Sequence, residues 1–247
     1  MNVTIINDCR DDNAKNRQIA RTASLLNCNV SFVGVKDDVE ASGNIIDTFD
    51  ALCDSEGIVI VNVAPRNGKS RQWENGTPFA YFWYKNILCL ASVEGHTLSL
   101  VKKLGLVKSV RIFDIKQSLL EAGYSDKIAE HAARSQFRSF DFLPRIAGYV
   151  FTNKSCTGEE YSLDEVASVE AEIWWTDNFG NCKTTLLQSD LEIENDQVEL
   201  FGKTLPFYEQ LKDVRDDELA AVRGSSGLED NRFVEIMKQG GRACDNI

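Results

Sequence analysis

The segment Asp177-Asn178-Phe179-Gly180-Asn181 sets a carboxylate, an aromatic ring, a glycine and a carboxamide within five residues. Phe179 offers a face on which a flat heterocycle can stack, a contact worth roughly 1–3 kcal/mol for a base on an aromatic ring. Asn181 carries both a donor and an acceptor for a purine edge, and Asp177 can pair with an ammonium group. The same residues are also acceptable chemistry for a hairpin turn between strands at 173–175 and 183–187. Farther on, Gly224-Ser225-Ser226-Gly227-Leu228-Glu229 supplies donors for a carboxylate, or a flexible glycine–serine loop. Asp8, directly after the first apolar run, can accept two hydrogen bonds from a ribose diol or serve as a loop or cap aspartate. Capping suits its neighbours Asp11, Asp12 and Asn13 better.

A third segment, Ala64-Pro65-Arg66-Asn67-Gly68-Lys69-Ser70-Arg71, hints at phosphate binding through Gly68-Lys69-Ser70. The leading glycine of a Walker loop is absent, so these basic residues are expected to solvate the loop or hold a carboxylate. Behind it come Trp73, Phe79, Tyr81, Phe82, Trp83 and Tyr84. Most belong in a core. Trp73 is the first candidate to face a sulfonium, for roughly 0.5–2 kcal/mol of cation–π attraction. His96 and His131 have no neighbouring acid that marks a triad and are expected at the surface or in packing, His96 being an outside candidate because it follows a strand.

These groups need a frame. Apolar runs at 3–6, 30–35 and 58–63 alternate with helical patterns at 13–26 and around Ile45, Ile46, Phe49 and Leu52. The βαβαβ order predicts a mostly parallel sheet with right-handed crossovers, and ligands of such sheets sit beyond the carboxyl ends of the strands, where Asp8 and the 64–76 loop fall. Further strands are expected at 79–84, 87–91 and 107–113, and helices at 115–122 and 126–136, followed by an apolar segment at 137–150. Asn, Ser, Thr, Gly and Glu dominate 152–163, which reads as a linker between domains at 1–152 and 164–247. Short strands at 167–175, 182–187, 198–201, 219–223 and 233–238 predict a smaller all-β barrel or sandwich.

The 247 residues suffice for one large or two modest cores. A net charge of −11 argues against sequence-independent binding to nucleic acid, which needs basic surface. Seven scattered cysteines without CxxC spacing, and only two histidines, predict reduced thiols and no metal site. Nowhere do eighteen apolar residues run together, and the first residues carry no basic segment followed by an apolar one. A cytoplasmic protein is expected.

Taken together, Asp8, Asp177-Asn178-Phe179-Gly180-Asn181 with Thr184-Thr185-Leu186, and Gly224 to Glu229 with Gly240-Gly241-Arg242-Ala243 resemble the motifs of the S-adenosylmethionine hydroxide adenosyltransferases. These hydrolases release adenosine and methionine and belong with the chlorinase–fluorinase superfamily. The resemblance implies an α/β domain plus a β-barrel, and a homotrimer whose sites lie between one subunit's first domain and its neighbour's second. It implies no cofactor, S-adenosylmethionine being the substrate, and halogenation is disfavoured because the chain is short for the insertion of those relatives. Asp8 would hold the ribose, Phe179 and Asn181 the adenine, Asp177, Ser225 and Ser226 the methionine end, and backbone near Ala243 the adenine amino edge. Arg71 would orient the attacking water. The chain departs from the family at Asn7, which replaces a threonine, at Ala64, where an aspartate stands, and at Phe137 or Arg138, where a histidine is expected. Those departures leave open a binding protein without turnover, or an unrelated nucleoside-binding protein.

Overall fold

The computed structural model describes residues 1–64, 76–93 and 95–247. The chain divides into two compact units, Met1–Ser168 and Val169–Ile247.

In the first unit, β1 (Asn2–Asn7), β2 (Asn29–Gly34), β3 (Gly57–Asn62) and β5 (Ile87–Ser92) run parallel, while β4 (Phe79–Tyr84), β6 (Ser109–Phe113) and β7 (Gly158–Ser162) follow by antiparallel pairing. The described residues form one seven-stranded sheet in the order β2-β1-β3-β5-β4-β6-β7. The parallel sheet expected from the first half is therefore its beginning; the remainder is a mixed sheet. The β-branched run of β3 is buried throughout residues 57–61, as a central strand covered on both faces must be. On one face, Val3, Ile5, Ile58 and Ile60 share a core with Leu143, Ile146 and Val150 of α7 (Leu143–Asn153), which also packs on α1 (Asp12–Leu26). On the other lies α2 (Asp38–Leu52), against β1 and β3, with Ile45, Ile46 and Phe49 fully buried.

Local chemistry sets the helix ends. Asp11 caps α1 by accepting from the Ala14 N–H at 3.0 Å, and Asn27 closes it in the left-handed region at φ 48°. Asp37 caps α2 through the Glu40 N–H at 2.8 Å. Two elements of the first unit escape the sequence pattern: α3 (Ser99–Lys103) and β7. The latter lies inside the stretch expected as a linker, and the division between units falls later, after Ser168. β7 is an edge strand whose residues are mostly exposed, so nothing in its composition demands the alternation that marks a half-buried strand. The segment 137–150 resolves into α6 (Arg138–Asp141) and most of α7, and α4 (Ile115–Glu121) and α5 (Asp126–Arg134) fall where helices are expected.

The second unit is β-rich. β8 (Ile173–Thr176), β9 (Cys182–Leu187), β10 (Gln197–Leu200), β11 (Lys203–Tyr208), β12 (Leu219–Leu228) and β13 (Asn231–Lys238) form a six-stranded sheet in the order β10-β11-β12-β13-β9-β8. Only β11 and β12 pair in parallel. Among the described residues β8 and β10 end the sheet without pairing to each other. Trp174 and Phe233 meet edge to face at 6.5 Å in its interior. All seven cysteines are free thiols, and among the described residues no helix is long and apolar enough to cross a membrane.

Candidate functional site

In the first unit, β1 is followed by β2 on one side of it, whereas β3 is followed by β4 on the other side. The strand order thus reverses between β1 and β3, and the carboxyl ends of those two strands bound the crevice where ligands of open α/β sheets bind. Asp8 sits at that reversal. Its N–H donates to the Asn62 carbonyl at 3.3 Å, and its Oδ2 accepts from the Ala64 N–H at 3.2 Å, so the carboxylate bridges the two strand ends. Asn7 is fully buried: its Nδ2 donates to Gln18 Oε1 at 2.7 Å, and its Oδ1 accepts from the Cys9 N–H at 2.8 Å and from Asn62 Nδ2 at 3.4 Å. Ser92, at the end of β5, accepts from the Val63 N–H at 3.2 Å. Hydrogen bonds thus tie the ends of β1, β3 and β5 together.

One further group at this edge, Glu40, went unassigned in the sequence, and His96 was an outside candidate. Glu40 is buried, and that burial pushes its carboxyl above the usual range even though Oε2 accepts from the Lys36 N–H at 3.2 Å and lies 4.0 Å from Lys36 Nζ. Asp37, the N-cap of α2, accepts from the Glu40 N–H, while the Glu40 carboxylate reaches back to Lys36, the residue before the cap. His96 donates its N–H to Asp38 Oδ2 at 2.7 Å, and its Nδ1 lies 3.2 Å from Ser99 Oγ. The Ser99 hydroxyl donates to the Ala167 carbonyl at 2.6 Å, which commits its proton away from a nucleophilic role. Ala64, the departure from the resembling family's aspartate, contributes its backbone N–H. Phe137 stacks on Phe140 with ring centres 5.3 Å apart, and Arg138 donates to the Thr77 carbonyl at 2.9 Å while burial lowers its pKa. Neither replaces a histidine as a proton carrier. Arg71 and Trp73 lie outside the described residues.

In the second unit the turn between β8 and β9 is held from within. Asp177 Oδ1 accepts from the Phe179 N–H at 2.8 Å and the Asn181 N–H at 2.9 Å, and Oδ2 accepts from Asn181 Nδ2 at 3.0 Å. The backbone closes as well, with the Asp177 N–H on the Asn181 carbonyl and the Gly180 N–H on the Asp177 carbonyl, both 3.0 Å. The hairpin role weighed for this segment is therefore real, and Asp177 and Asn181 spend most of their polar capacity on it. Phe179 is left 69% exposed at the tip. Gly180, at φ 88°, lets the last residues approach: a Cβ there would stand 2.7 Å from Arg242 Cβ. Across that contact the Cys244 N–H donates to the Gly180 carbonyl at 3.0 Å, Arg242 Nη1 donates to the Asn178 carbonyl at 3.1 Å, and Ala243 is fully buried. Burial also raises the pKa of the Cys182 thiol beneath the turn. The fold thus brings Ala243 and the Phe179 turn together.

It keeps the serine pair elsewhere. Gly224, Ser225 and Ser226 form a bulge inside β12, between the pairs Arg223–Val234 and Gly227–Arg232. Ser225 donates from its N–H to Glu235 Oε1 at 3.2 Å, Arg232 Nη1 donates to the carbonyls of Ser225 and Gly227 at 3.1 Å each, and Ser226 is buried. Gly224 is required because a Cβ would come within 2.6 Å of the Phe233 carbonyl oxygen. The segment is a bulged strand, not a loose loop. On the neighbouring strands Cys182, beside the turn, pairs with Ile236, whereas Leu187 pairs with Phe233 opposite the bulge. Turn and bulge therefore stand at opposite ends of β9, about 17 Å apart at about 3.3 Å per residue. A cavity of about 680 Å³ in this unit, bordered by Leu186, Asp190, Glu194, Val198, Glu199 and Phe201, includes none of the predicted site residues.

No protein-family model matches the chain, and no curated protein matches it in sequence. Solved structures do. An uncharacterized conserved protein of Thermotoga maritima is similar over 99% of this chain and 95% of its own, with a TM-score of 0.68 and 16% identity. A conserved hypothetical protein of Thermus thermophilus is similar over 98% and 93%, with a TM-score of 0.61 and 16% identity. The likeness establishes a shared fold along nearly the whole chain.

Proposed function

We propose that the protein binds S-adenosylmethionine and hydrolyses it to adenosine and methionine. The observation that carries this reading is Phe179, a bare aromatic face 69% exposed on a turn fixed by three hydrogen bonds to Asp177. A rigid exposed ring loses little freedom when a purine stacks on it. Asp8 at the strand reversal supplies the complementary group, a carboxylate for the ribose diol. In this reading the six-stranded sheet of the second unit serves as the barrel of the family, and the protein works in the cytoplasm as a homotrimer whose sites join Asp8 of one copy to Phe179 of another. Backbone around Ala243 meets the adenine edge, Asn181 and Asp177 fix the stacking turn, and Ser225 and Ser226 receive the methionine end. Trp73 faces the sulfonium.

The chemistry asks little of the protein beyond alignment. Water attacks C5′ in line with the departing sulfur, the C5′–S pair neutralises the sulfonium, and the surplus proton leaves to solvent. Positioning alone can contribute about 7–11 kcal/mol to lowering such a barrier. Arg71 orients the water. A second reading, binding without turnover, is favoured by the stacked Phe137 and half-buried Arg138, which offer no proton carrier where the family has a histidine.

Incubation with S-adenosylmethionine followed by chromatography separates these readings. Hydrolysis yields adenosine and methionine in equal amounts, and Arg71→Ala loses turnover while retaining affinity. Binding without products selects the second reading. No affinity removes both.

A further inference from the structure

The acidic chain, with 38 carboxylates against 27 Lys and Arg, concentrates cations in one hollow of its first unit. A cavity of about 570 Å³ is bordered by Arg17 of α1, by Lys127, His131 and Arg134 of α5, and by Phe137 and Asp141. Positions 127, 131 and 134 follow the i, i+4, i+7 spacing that puts side chains on one helix face. Arg17 lies over the rings of Phe137 and Phe140, at 5.3 and 4.7 Å, and Arg21 lies over Phe140 at 4.1 Å. The guanidiniums are thereby pre-set on a flat aromatic floor rather than free to swing.

Neutralisation is incomplete. Asp141 is shared by Arg21 at 3.7 Å, Arg145 at 3.9 Å and His131 at 3.7 Å, and it also accepts from the Ser135 hydroxyl. Glu130, the other acid on the rim, is held by Lys116 at 3.1 Å. Among the described residues no carboxylate comes within ion-pair distance of Arg17, Lys127 or Arg134, and the buried Nη1 of Arg21 has no hydrogen-bond partner. The crowding is felt by Arg21, whose pKa is lowered by burial first and by Arg145 next.

We infer that this hollow is an anion site for a phosphate-bearing small molecule, with Arg17, Lys127 and Arg134 as its contacts and the Phe137 ring as its wall. Planar guanidiniums match phosphate oxygens in paired hydrogen bonds, and the lysine adds a point charge. Nucleic acid fits poorly, because the cations form one hollow and the chain as a whole carries −11. The inference stands apart from the adenosyl reading: none of the three cationic contacts belongs to that site, and either can fail alone.

Calorimetric titration of the full chain with pyrophosphate, at low and at high sodium chloride, tests it. Saturable binding is expected at low salt, weakening as salt rises. The double variant Lys127→Gln with Arg134→Gln, both on the outer face of a helix, is expected to weaken it about tenfold or more with an unchanged melting temperature. Arg17→Lys, which keeps the charge but loses the planar fork, is expected to weaken it by a smaller factor. Absence of saturable heat up to about 10 mM pyrophosphate, an unaltered affinity in the double variant, or equal competition by chloride would overturn the assignment. Saturable binding of a random-sequence oligonucleotide that outcompetes pyrophosphate would overturn it too.

Discussion

At the carboxyl edge of the first unit's sheet, polar side chains reach across to neighbouring elements: Asn7 to Gln18 of α1 and to Asn62, Asp8 to Ala64, Ser92 to Val63. In the turn of residues 177–181 the Asp177 and Asn181 side chains bond within the turn itself, and the aromatic ring is what remains outside. The difference separates two ways of offering a surface. Asp8 presents a carboxylate placed by strand ends whose positions the whole sheet fixes, whereas the turn uses its carboxylate as internal scaffolding and presents an apolar face. A residue type with chemical potential is therefore no guide to which atom meets a ligand; the local hydrogen-bond count decides.

That contrast can be strained most severely at Gly180. Gly180→Val imposes a side chain at φ 88° and a Cβ about where Arg242 already stands, so a loss of about 3 kcal/mol or more is expected in urea unfolding. A near-neutral result would mean that the C-terminal segment does not pack on the turn. Asp177→Ala comes next. Removing the acceptor of three hydrogen bonds should cost about 2 kcal/mol of stability, and affinity for S-adenosylmethionine should fall with it. Unchanged stability alongside lost affinity would reassign Asp177 to direct ligand contact. Phe179→Ala is the mirror case: stability is expected to stay within about 0.5 kcal/mol of wild type, while affinity for S-adenosylmethionine drops by roughly 1–3 kcal/mol.

The smallest effect is expected on the other side of the comparison, at Glu40. Burial raises its folded-state pKa above the unfolded value, so the folded form binds the proton more tightly and stability declines as pH rises from the ordinary carboxylate range through the raised value. Glu40→Gln lacks that decline and keeps the acceptor for the Lys36 N–H. Urea midpoints of the two proteins should diverge in favour of the glutamine across that window and run parallel above it. Convergence instead would show that the charged carboxylate is favoured by its surroundings.

Much of the first unit was legible because β1 and β3 are apolar β-branched runs next to helical patterns, and burial on both faces leaves such runs few alternatives. The elements that escaped have weak signals for physical reasons. β7 is an edge strand with mostly solvated side chains. β11 carries Pro206, which ordinarily demotes a strand, and its pairing with β10 depends on the tight Phe201-Gly202 turn, both residues at positive φ. At the site, the residue types of Asp177, Phe179 and Asn181 announced a turn that could also bind, but only the hydrogen bonds reveal that the acid is occupied and the ring is not. Likewise Gly224-Ser225-Ser226-Gly227 reads as a flexible loop in composition, and only the register of β13 shows three residues opposing one.

Whether the carboxylate edge and the aromatic turn serve one ligand across copies is tested most directly by mixing two variants. Asp8→Asn and Phe179→Ala are each expected to bind S-adenosylmethionine poorly. After the two proteins are unfolded together and reassembled at equal concentration, about one quarter of the sites should regain wild-type affinity, the fraction in which an intact Asp8 meets a neighbour's intact Phe179. Mixed assemblies that regain no tight binding would contradict a site shared between copies.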